Sequence, residues 1–314
     1  MVNAKNSSII VIMGPTAVGK TALGVHLAKK YSGEVINGDS LQVYKGLDIG
    51  TAKVTVEEMG GIPHHLIDIV DVASSYTASD FKAAAEQVID DIQSRGKVPI
   101  LVGGSGLYIQ GLLNDMKFGK TGEDISFRKN LEKTLEETSS LYIWNQLNMV
   151  DPEAAKEIHP NNTRRVIRAL ESIHMSGEKF SSQQEFSLSD SYRVLSIALN
   201  CDRTLLYERI NHRVEVMVEQ GVLDEAKMLF ELVNKENNQA HKGIGYKEWF
   251  PYFSGDATFD EAKEKVKQNS RRYAKRQLTW FRNRMENVHW FDVMKDNYLE
   301  SVELLVTDFL ERGE

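Results

Sequence analysis

The chain runs to 314 residues, 41% hydrophobic and 26% charged, a globular composition with length enough for a sizeable core. A net charge of −7 speaks against indiscriminate nucleic-acid binding over the whole surface, and one cysteine, Cys201, with no H-x-x-x-H among the histidines, excludes an internal disulfide and indicates no transition-metal site. No apolar run is long enough to span a membrane, and Met1-Val2-Asn3-Ala4-Lys5 lacks a signal peptide's apolar stretch, so a cytoplasmic protein is expected.

The first element is a buried strand, Ile9-Ile10-Val11-Ile12-Met13. It leads into Gly14-Pro15-Thr16-Ala17-Val18-Gly19-Lys20-Thr21, the G-x-x-x-x-G-K-[ST] pattern, and then into a helix over residues 22–30. Strand, glycine loop and helix in that order make a phosphate cradle. Loop N–H groups converge on an anion, the helix N-terminus adds partial positive charge, Lys20 reaches the terminal phosphates and the Thr21 hydroxyl can bind Mg²⁺. A plain Gly-rich turn is the bland alternative, which the flanking pattern disfavours. Glu34-Val35-Ile36-Asn37 is a short strand ending at Gly38-Asp39-Ser40. Carboxyl ends of strands in an open α/β sheet face the ligand crevice, so Asp39 is expected on the strand next to the loop-bearing one, close to whatever the loop holds. Residues 41–63 form a long loop, of the kind that tends to be functional, and residues 63–70 read as a further strand.

Residues 77–95 form an amphipathic helix with Phe81, Ala85, Val88 and Ile92 on one face, closed by Gly96. A buried strand at 98–102 runs into Gly103-Gly104-Ser105-Gly106-Leu107-Tyr108 and a helix. A Walker-B strand would end in Asp; this one ends in glycines and a serine. Two readings stand: a tight strand–helix turn, or a second close approach of backbone to phosphate with Ser105 donating. Strand signals then vanish. Helices are expected at 126–137, at 151–158 with Asp151-Pro152 as cap and first position, and at 162–175, before a polar Ser181-Ser182-Gln183-Gln184 stretch expected to be poorly ordered. The fold class is therefore α/β, a P-loop NTPase-like parallel sheet flanked by helices over 1–115 and 191–314, with an inserted all-helical subdomain at 116–190 that could move as a lid.

The sheet resumes with a strand at 194–199. A helix at 203–219 places Arg209 and Arg213 one turn apart, Gly221 breaks it, and a further helix covers 223–233. His241 to Tyr246 is a turn, and a long helix spans 258–285. Its core stripe is Ala274, Leu278, Phe281 and Met285, while Arg271, Arg272, Lys275, Arg276 and Thr279 lie off it. Residues 262–285 carry nine positive side chains against Glu264 alone, a net +8. Solvated charge is the usual reading of such a face, but so few balancing acids point to a polyanion site on an otherwise acidic protein. A strand at 288–293 and a helix at 297–311 close the chain.

Five stretches together carry a resemblance. Gly14 to Thr21, Asp39 to Lys53, Pro63 to Ile69, Gly103 to Tyr108 and Lys275 to Phe281 resemble the bacterial tRNA dimethylallyltransferase family across nearly the whole chain, the stretch from Asp39 being the most specific. The resemblance implies that the loop holds the diphosphate of dimethylallyl diphosphate, not ATP, and that the acceptor is the exocyclic amine of the adenosine 3′ of the anticodon. It implies Ser105 and Arg213 on the diphosphate, and Ser40 and Gln42, with Leu41 beside them, on the adenine edge. Two jaws would clamp the tRNA anticodon stem-loop: Arg271, Arg272, Lys275 and Arg276 on the basic helix, and Arg164, Arg165 and Arg168, with Arg128, on the insertion. Ser105 stands where threonine is commoner, which keeps the hydroxyl, and Val54 where proline is common.

The chemistry fits these residues. An allylic diphosphate needs its leaving group neutralised, for which loop N–H donors, Lys20 and Mg²⁺ on Thr21 are suited. An adenine amine is a poor nucleophile, so a carboxylate that accepts its proton helps, and Asp39 is the base expected. Reading one base of a loop means splaying it out of its stack, and cationic phosphate contacts offset that cost. Membership of a P-loop small-molecule kinase family, with ATP in the loop, or of a prenyltransferase acting on free adenine nucleotide, remain alternatives. A monomer without membrane contact is expected.

Overall fold

The computed structural model describes residues 7–116, 124–184, 192–232 and 239–312. Residues 1–5, the expected junction at 190 and 191, and Val233 at the end of one expected helix lie outside the described residues. The chain divides into two compact units, Met1–Leu113 with Ser189–Glu314, and Asn114–Leu188. In chain order the first unit opens with β1 (Ser7–Met13), α1 (Lys20–Lys30), β2 (Gly33–Gly38), α2 (Val56–Met59), β3 (His64–His65), α3 (Ala78–Ser94), β4 (Val98–Gly103) and α4 (Gly106–Leu113). The second unit holds α5 (Ile125–Glu137), α6 (Ser140–Val150), α7 (Pro152–Glu157) and α8 (Thr163–Ser176). The first unit resumes with β5 (Tyr192–Asn200), α9 (Arg203–Glu219), α10 (Val222–Glu231), α11 (Phe250–Phe253), α12 (Phe259–Arg284), β6 (Val288–Asp292) and α13 (Tyr298–Glu311).

The described strands form one six-stranded sheet, every pairing parallel, in the order β3-β2-β4-β1-β5-β6. In β1, Ile9, Val11 and Met13 enter the apolar cluster on one face and Ile10 and Ile12 the cluster on the other. Both faces are covered, which is why the strand reads as a continuous apolar run. On one side α3 contributes Phe81, Ala85, Ile89 and Ile92, and on the other α1 contributes Leu23, Leu27 and Ala28. Ile89 takes the central place expected for Val88, which lies half-buried at the stripe's edge. Thr77 starts α3 through a reciprocal capping box with Asp80, and Thr258 starts α12 in the same way with Glu261.

Three expectations are corrected. The strand order places β4 between β1 and β2, so Asp39 is not on the neighbour of the loop-bearing strand. The strand expected at 63–70 shrinks to His64–His65, because Leu66 and Asp68 turn the backbone to φ 61° and 54°, outside the β region. Within the long loop, Thr55 and Glu58 form a capping box that nucleates α2.

The second unit has its own core, including Leu131, Ile143, Leu147, Ala155, Val166 and Leu170. The sequence reading did not anticipate α6. Its Leu141, Tyr142 and Met149 are 53%, 50% and 77% exposed, and apolar residues on the outer face blur a helical stripe. Asp151 is fully buried; its carboxylate caps α7 and accepts the Ser181 N–H and hydroxyl at 2.8 Å each. Those bonds fix residues 181–184 as a 3₁₀ turn, where poor order was expected.

Candidate active site

The glycine loop joins β1 to α1. A Cβ at Gly14 would stand 2.7 Å from the Leu199 carbonyl oxygen of β5, and Gly19 sits at φ 102° immediately before the helix, so neither position admits a side chain without strain. Lys20 folds back so that its Nζ donates to the Pro15 carbonyl at 2.7 Å, and Thr21 is exposed. The loop opens onto a cavity of about 930 Å³ whose lining includes Thr16, Lys20, Thr21, Asp39, Gln42 and Arg213.

Between Asp39 and Lys20 runs the end of β4. Here the two readings of its glycines separate. A Cβ at Gly103 would lie 2.3 Å from the Gly38 carbonyl oxygen, one at Gly104 2.2 Å from Gln277 Nε2, and one at Gly106 2.4 Å from the Trp280 ring. Close packing of β2 and α12 against the strand end accounts for all three, which is the turn reading. The same absence of side chains leaves Gly103 and Gly104 as bare backbone in the cavity wall between acid and cation.

Asp39 is held in place locally. Its Oδ1 accepts the Leu41 N–H at 2.9 Å, and its own N–H donates to Asn37 Oδ1 at 3.1 Å. Burial raises its carboxyl above the ordinary value, opposed by the Leu41 N–H and the Lys20 charge. Burial, with the Arg213 charge, pulls the Lys20 ammonium down to about 8, and Asp39 pulls it back up. A poised carboxylate and a poised ammonium in one cleft mark a chemical site. Arg213 of α9 donates from Nη1 to Thr16 Oγ1 at 3.4 Å. From the same helix Ile210, Val214 and Met217 face the cavity, joined by Leu41, Ile49 and Val266 as an apolar wall.

Ser105 lies in the turn between β4 and α4. It is 8% exposed, is absent from the cavity lining, and its hydroxyl accepts the Ser40 N–H at 3.0 Å. It therefore shapes the Asp39-Ser40 turn from behind. Gln42 lines the cavity, but its amide nitrogen donates to the Thr51 and Ala52 carbonyls at 3.1 and 3.2 Å. Its acceptor oxygen is the end left for a ligand.

Residues that the sequence reading passed over hold the loop around Gly50. The Glu225 carboxylate of α10 accepts the N–H groups of Asp48, Ile49 and Gly50 at 2.8–3.1 Å, and the Tyr246 hydroxyl at 2.8 Å. Lys53, its side chain 6% exposed, pairs with Asp48 and Asp68 and donates to the Tyr44 carbonyl. Nothing local in the sequence marks Glu225, one of two acids in a first helical turn.

On α12 the basic charge sorts by position. Lys263 and Lys267 are paired with Glu215 of α9, and Arg271 with Asn211. Arg272, Lys275 and Arg276 are exposed, with Arg276 5.7 Å from the Tyr273 ring centroid. In the second unit Arg128 and Arg168 both donate to the buried Glu171 at 2.6 and 3.0 Å, Arg164 is exposed and Arg165 half-buried.

The sheet order, the flanking helices and the cavity define a parallel α/β protein with a G-x-x-x-x-G-K-T loop after its first strand. The family model described as IPP transferase matches residues 42–284. The chain is 48% identical over 310 residues to a tRNA dimethylallyltransferase of Limosilactobacillus reuteri, covering 98% of this chain and 100% of that one. Among solved structures, a full-length tRNA isopentenylpyrophosphate transferase from Bacillus halodurans matches with TM-score 0.73 and 45% identity, covering 98% of both chains. A eukaryotic dimethylallyltransferase acting on tRNA matches with TM-score 0.82 and 32% identity, covering 98% of this chain and 80% of that one. This chain belongs to the IPP transferase family.

Proposed function

We propose that the protein transfers the dimethylallyl group of dimethylallyl diphosphate to the exocyclic amine of the adenosine 3′ of the tRNA anticodon. The observation that carries this reading is one cavity lined by the loop's Lys20 and Thr21, the half-buried Asp39 and an apolar wall. In the step, the allylic carbon–oxygen bond breaks, a carbon–nitrogen bond forms, diphosphate leaves, and the amine proton passes to Asp39. Lys20, Arg213 and the loop N–H groups of Gly14 to Thr21 other than Pro15 and Thr16, whose N–H is held by Gln277, offset the charge that grows on the departing oxygen. The wall from Ile210 to Met217 receives the apolar chain and keeps water from the allylic carbon.

Mg²⁺ keeps several waters and takes phosphate oxygens, so a single exposed hydroxyl, Thr21, fits the protein's share of its shell. Among the described residues no cluster of three acids, histidines or cysteines offers an all-protein cage. When bound it supplies further charge neutralisation on the diphosphate. Ser40, Leu41 and Gln42 stand at the acceptor's side of Asp39, and Arg272, Lys275 and Arg276 with Arg164 supply phosphate contacts. Among the described residues no helix is long and apolar enough to cross a membrane. A tRNA substrate implies the cytoplasm, and a monomer is the form we propose.

The test is incubation with unmodified tRNA, dimethylallyl diphosphate and Mg²⁺, followed by mass spectrometry of the nuclease digest. Prenylated adenosine is expected. Its absence, with phosphate transfer from ATP in its place, would overturn the reading in favour of a kinase.

A further inference from the structure

Helix α12 has two working faces. Outward it presents Arg272, Lys275 and Arg276; inward it presents Tyr273 and Gln277 to the cavity. Gln277 is 4% exposed and bonded at both ends of its amide: Oε1 accepts the Thr16 N–H at 2.9 Å, and Nε2 donates to the Gly104 carbonyl at 3.0 Å. One side chain thus brackets the loop after β1 and the turn after β4. Thr16 is also the residue whose hydroxyl Arg213 reaches, so the bracket ends on a residue shared with a second cation of the cavity. The Tyr273 hydroxyl, one turn earlier, contacts the Ser105 and Gln277 side chains. These two bonds are the direct link from α12 to the glycine loop and to the turn after β4.

We propose that Gln277 is a positioning residue that couples occupation of the outer face of α12 by a polyanion to the geometry of the diphosphate loop. The inference rests on the proposed function for the nature of the two ligands. It goes beyond it in assigning energetic communication between their sites to one amide. Linkage makes the effect reciprocal: whatever factor the nucleic acid exerts on diphosphate affinity, diphosphate exerts on nucleic-acid affinity. A glutamine with a merely architectural role would lower stability and both affinities without altering the factor that connects them.

The experiment measures the dissociation constant of inorganic pyrophosphate with Mg²⁺ by calorimetry, with and without a saturating unmodified anticodon stem-loop. Wild type, Gln277→Met and Gln277→Glu are compared, with melting temperature recorded for each. In the wild type the stem-loop is expected to change pyrophosphate affinity roughly five- to tenfold, in the range usual for coupled sites. Gln277→Met, near in size and without either bond, is expected to bring that factor to within about twofold of unity, while each ligand still binds alone. Gln277→Glu keeps the acceptor for Thr16 but sets a carboxylate against the Gly104 carbonyl, and is expected to diminish the factor too; it decides the matter if Gln277→Met does not fold. An undiminished factor in whichever variant folds overturns the proposal, as does a wild type that binds both probes independently. A wild type that binds neither probe overturns the proposed function itself.

Discussion

Asp39 and Lys20 act on each other's proton across the end of a strand that lies between theirs. Each charge favours the other's ionised state, while burial opposes both. The pH behaviour of the two groups is the most direct check on the site.

Lys20, drawn down to about 8, loses its charge within the working range of an assay. Because the folded value lies below the ordinary one, the charge is present below about pH 8 and lost above it. The kcat/KM for dimethylallyl diphosphate, which reports the free enzyme, is expected to fall with an alkaline limb near pH 8. Lys20→Arg, ionised throughout, is expected to remove that limb even where it lowers the maximum; an unchanged limb assigns it elsewhere.

Asp39 must be ionised to accept a proton, and burial holds it above its ordinary 3.8, so activity is expected to fall on acidification with a limb above that value. Asp39→Asn keeps an acceptor for the Leu41 N–H and is expected to reduce turnover by about 10²–10⁴-fold while pyrophosphate affinity changes little. Equal losses in turnover and binding would make Asp39 architectural.

Glu225→Ala removes a charged acceptor from three backbone N–H groups and a phenol, bonds of about 1.5–3 kcal/mol each in such settings. The loop they hold carries the Thr51 and Ala52 carbonyls that anchor Gln42. Steady-state kinetics are expected to show kcat/KM for tRNA down by about 10²-fold, as for a misplaced recognition group, with pyrophosphate affinity nearly unchanged. Parallel loss of both affinities would indicate general unfolding.

Arg272→Ala combined with Arg276→Ala is expected to raise the KM for tRNA and to reduce the slope of log affinity against log salt by about 1.4–1.8, two phosphate contacts' worth. A slope equal to the wild type's would mean that this face is only solvated.

Stability offers an independent prediction. Glu34 is buried under Arg95, with His65 and Lys97 also in contact, and the Arg95 hydrogen bond above all holds its carboxyl down at about 2. A depressed value gives stability that is fully present above the ordinary 4.5 and lost as pH falls towards 2. Glu34→Ala is expected to cost about 3 kcal/mol at pH 7, and the gap to the wild type is expected to close between pH 4.5 and 2 in denaturant titrations.

Local patterns told most of this fold. The continuous apolar runs of β1 and β4, the cap at Asp151, and the breaks at Gly96 and Gly221 each have a physical cause that lies within a few residues. What escaped was set from a distance. The truncation of β3 comes from left-handed turns at Leu66 and Asp68, the first of them in a residue type with no local preference for that conformation. Strand order is not written in any strand, so the place of β4 between Asp39 and the loop was misread.

The site divides the same way. The glycine loop and Asp39 announce themselves by type and spacing. Ser105 is legible as a hydroxyl beside a glycine turn, but the Ser40 N–H that its oxygen accepts is announced by no local pattern. Glu225 and Gln277 meet their partners across 176 and 261 positions respectively, and neither side-chain type distinguishes a hidden bracket from a solvated residue.

The bare end of β4 bears on what this scaffold could become. Phosphate-loop hydrolases use an aspartate at a strand end to hold metal for attack on phosphorus. Here a single substitution towards one would meet the Gly38 carbonyl or the Gln277 amide at 2.2–2.3 Å, before its carboxylate reached the cavity. Nucleotide hydrolysis of that kind would demand that a neighbour retreat, the β2 backbone for Gly103 or the Gln277 side chain for Gly104. At Gly103 the obstacle is backbone, so an aspartate there has no room unless β2 itself gives way.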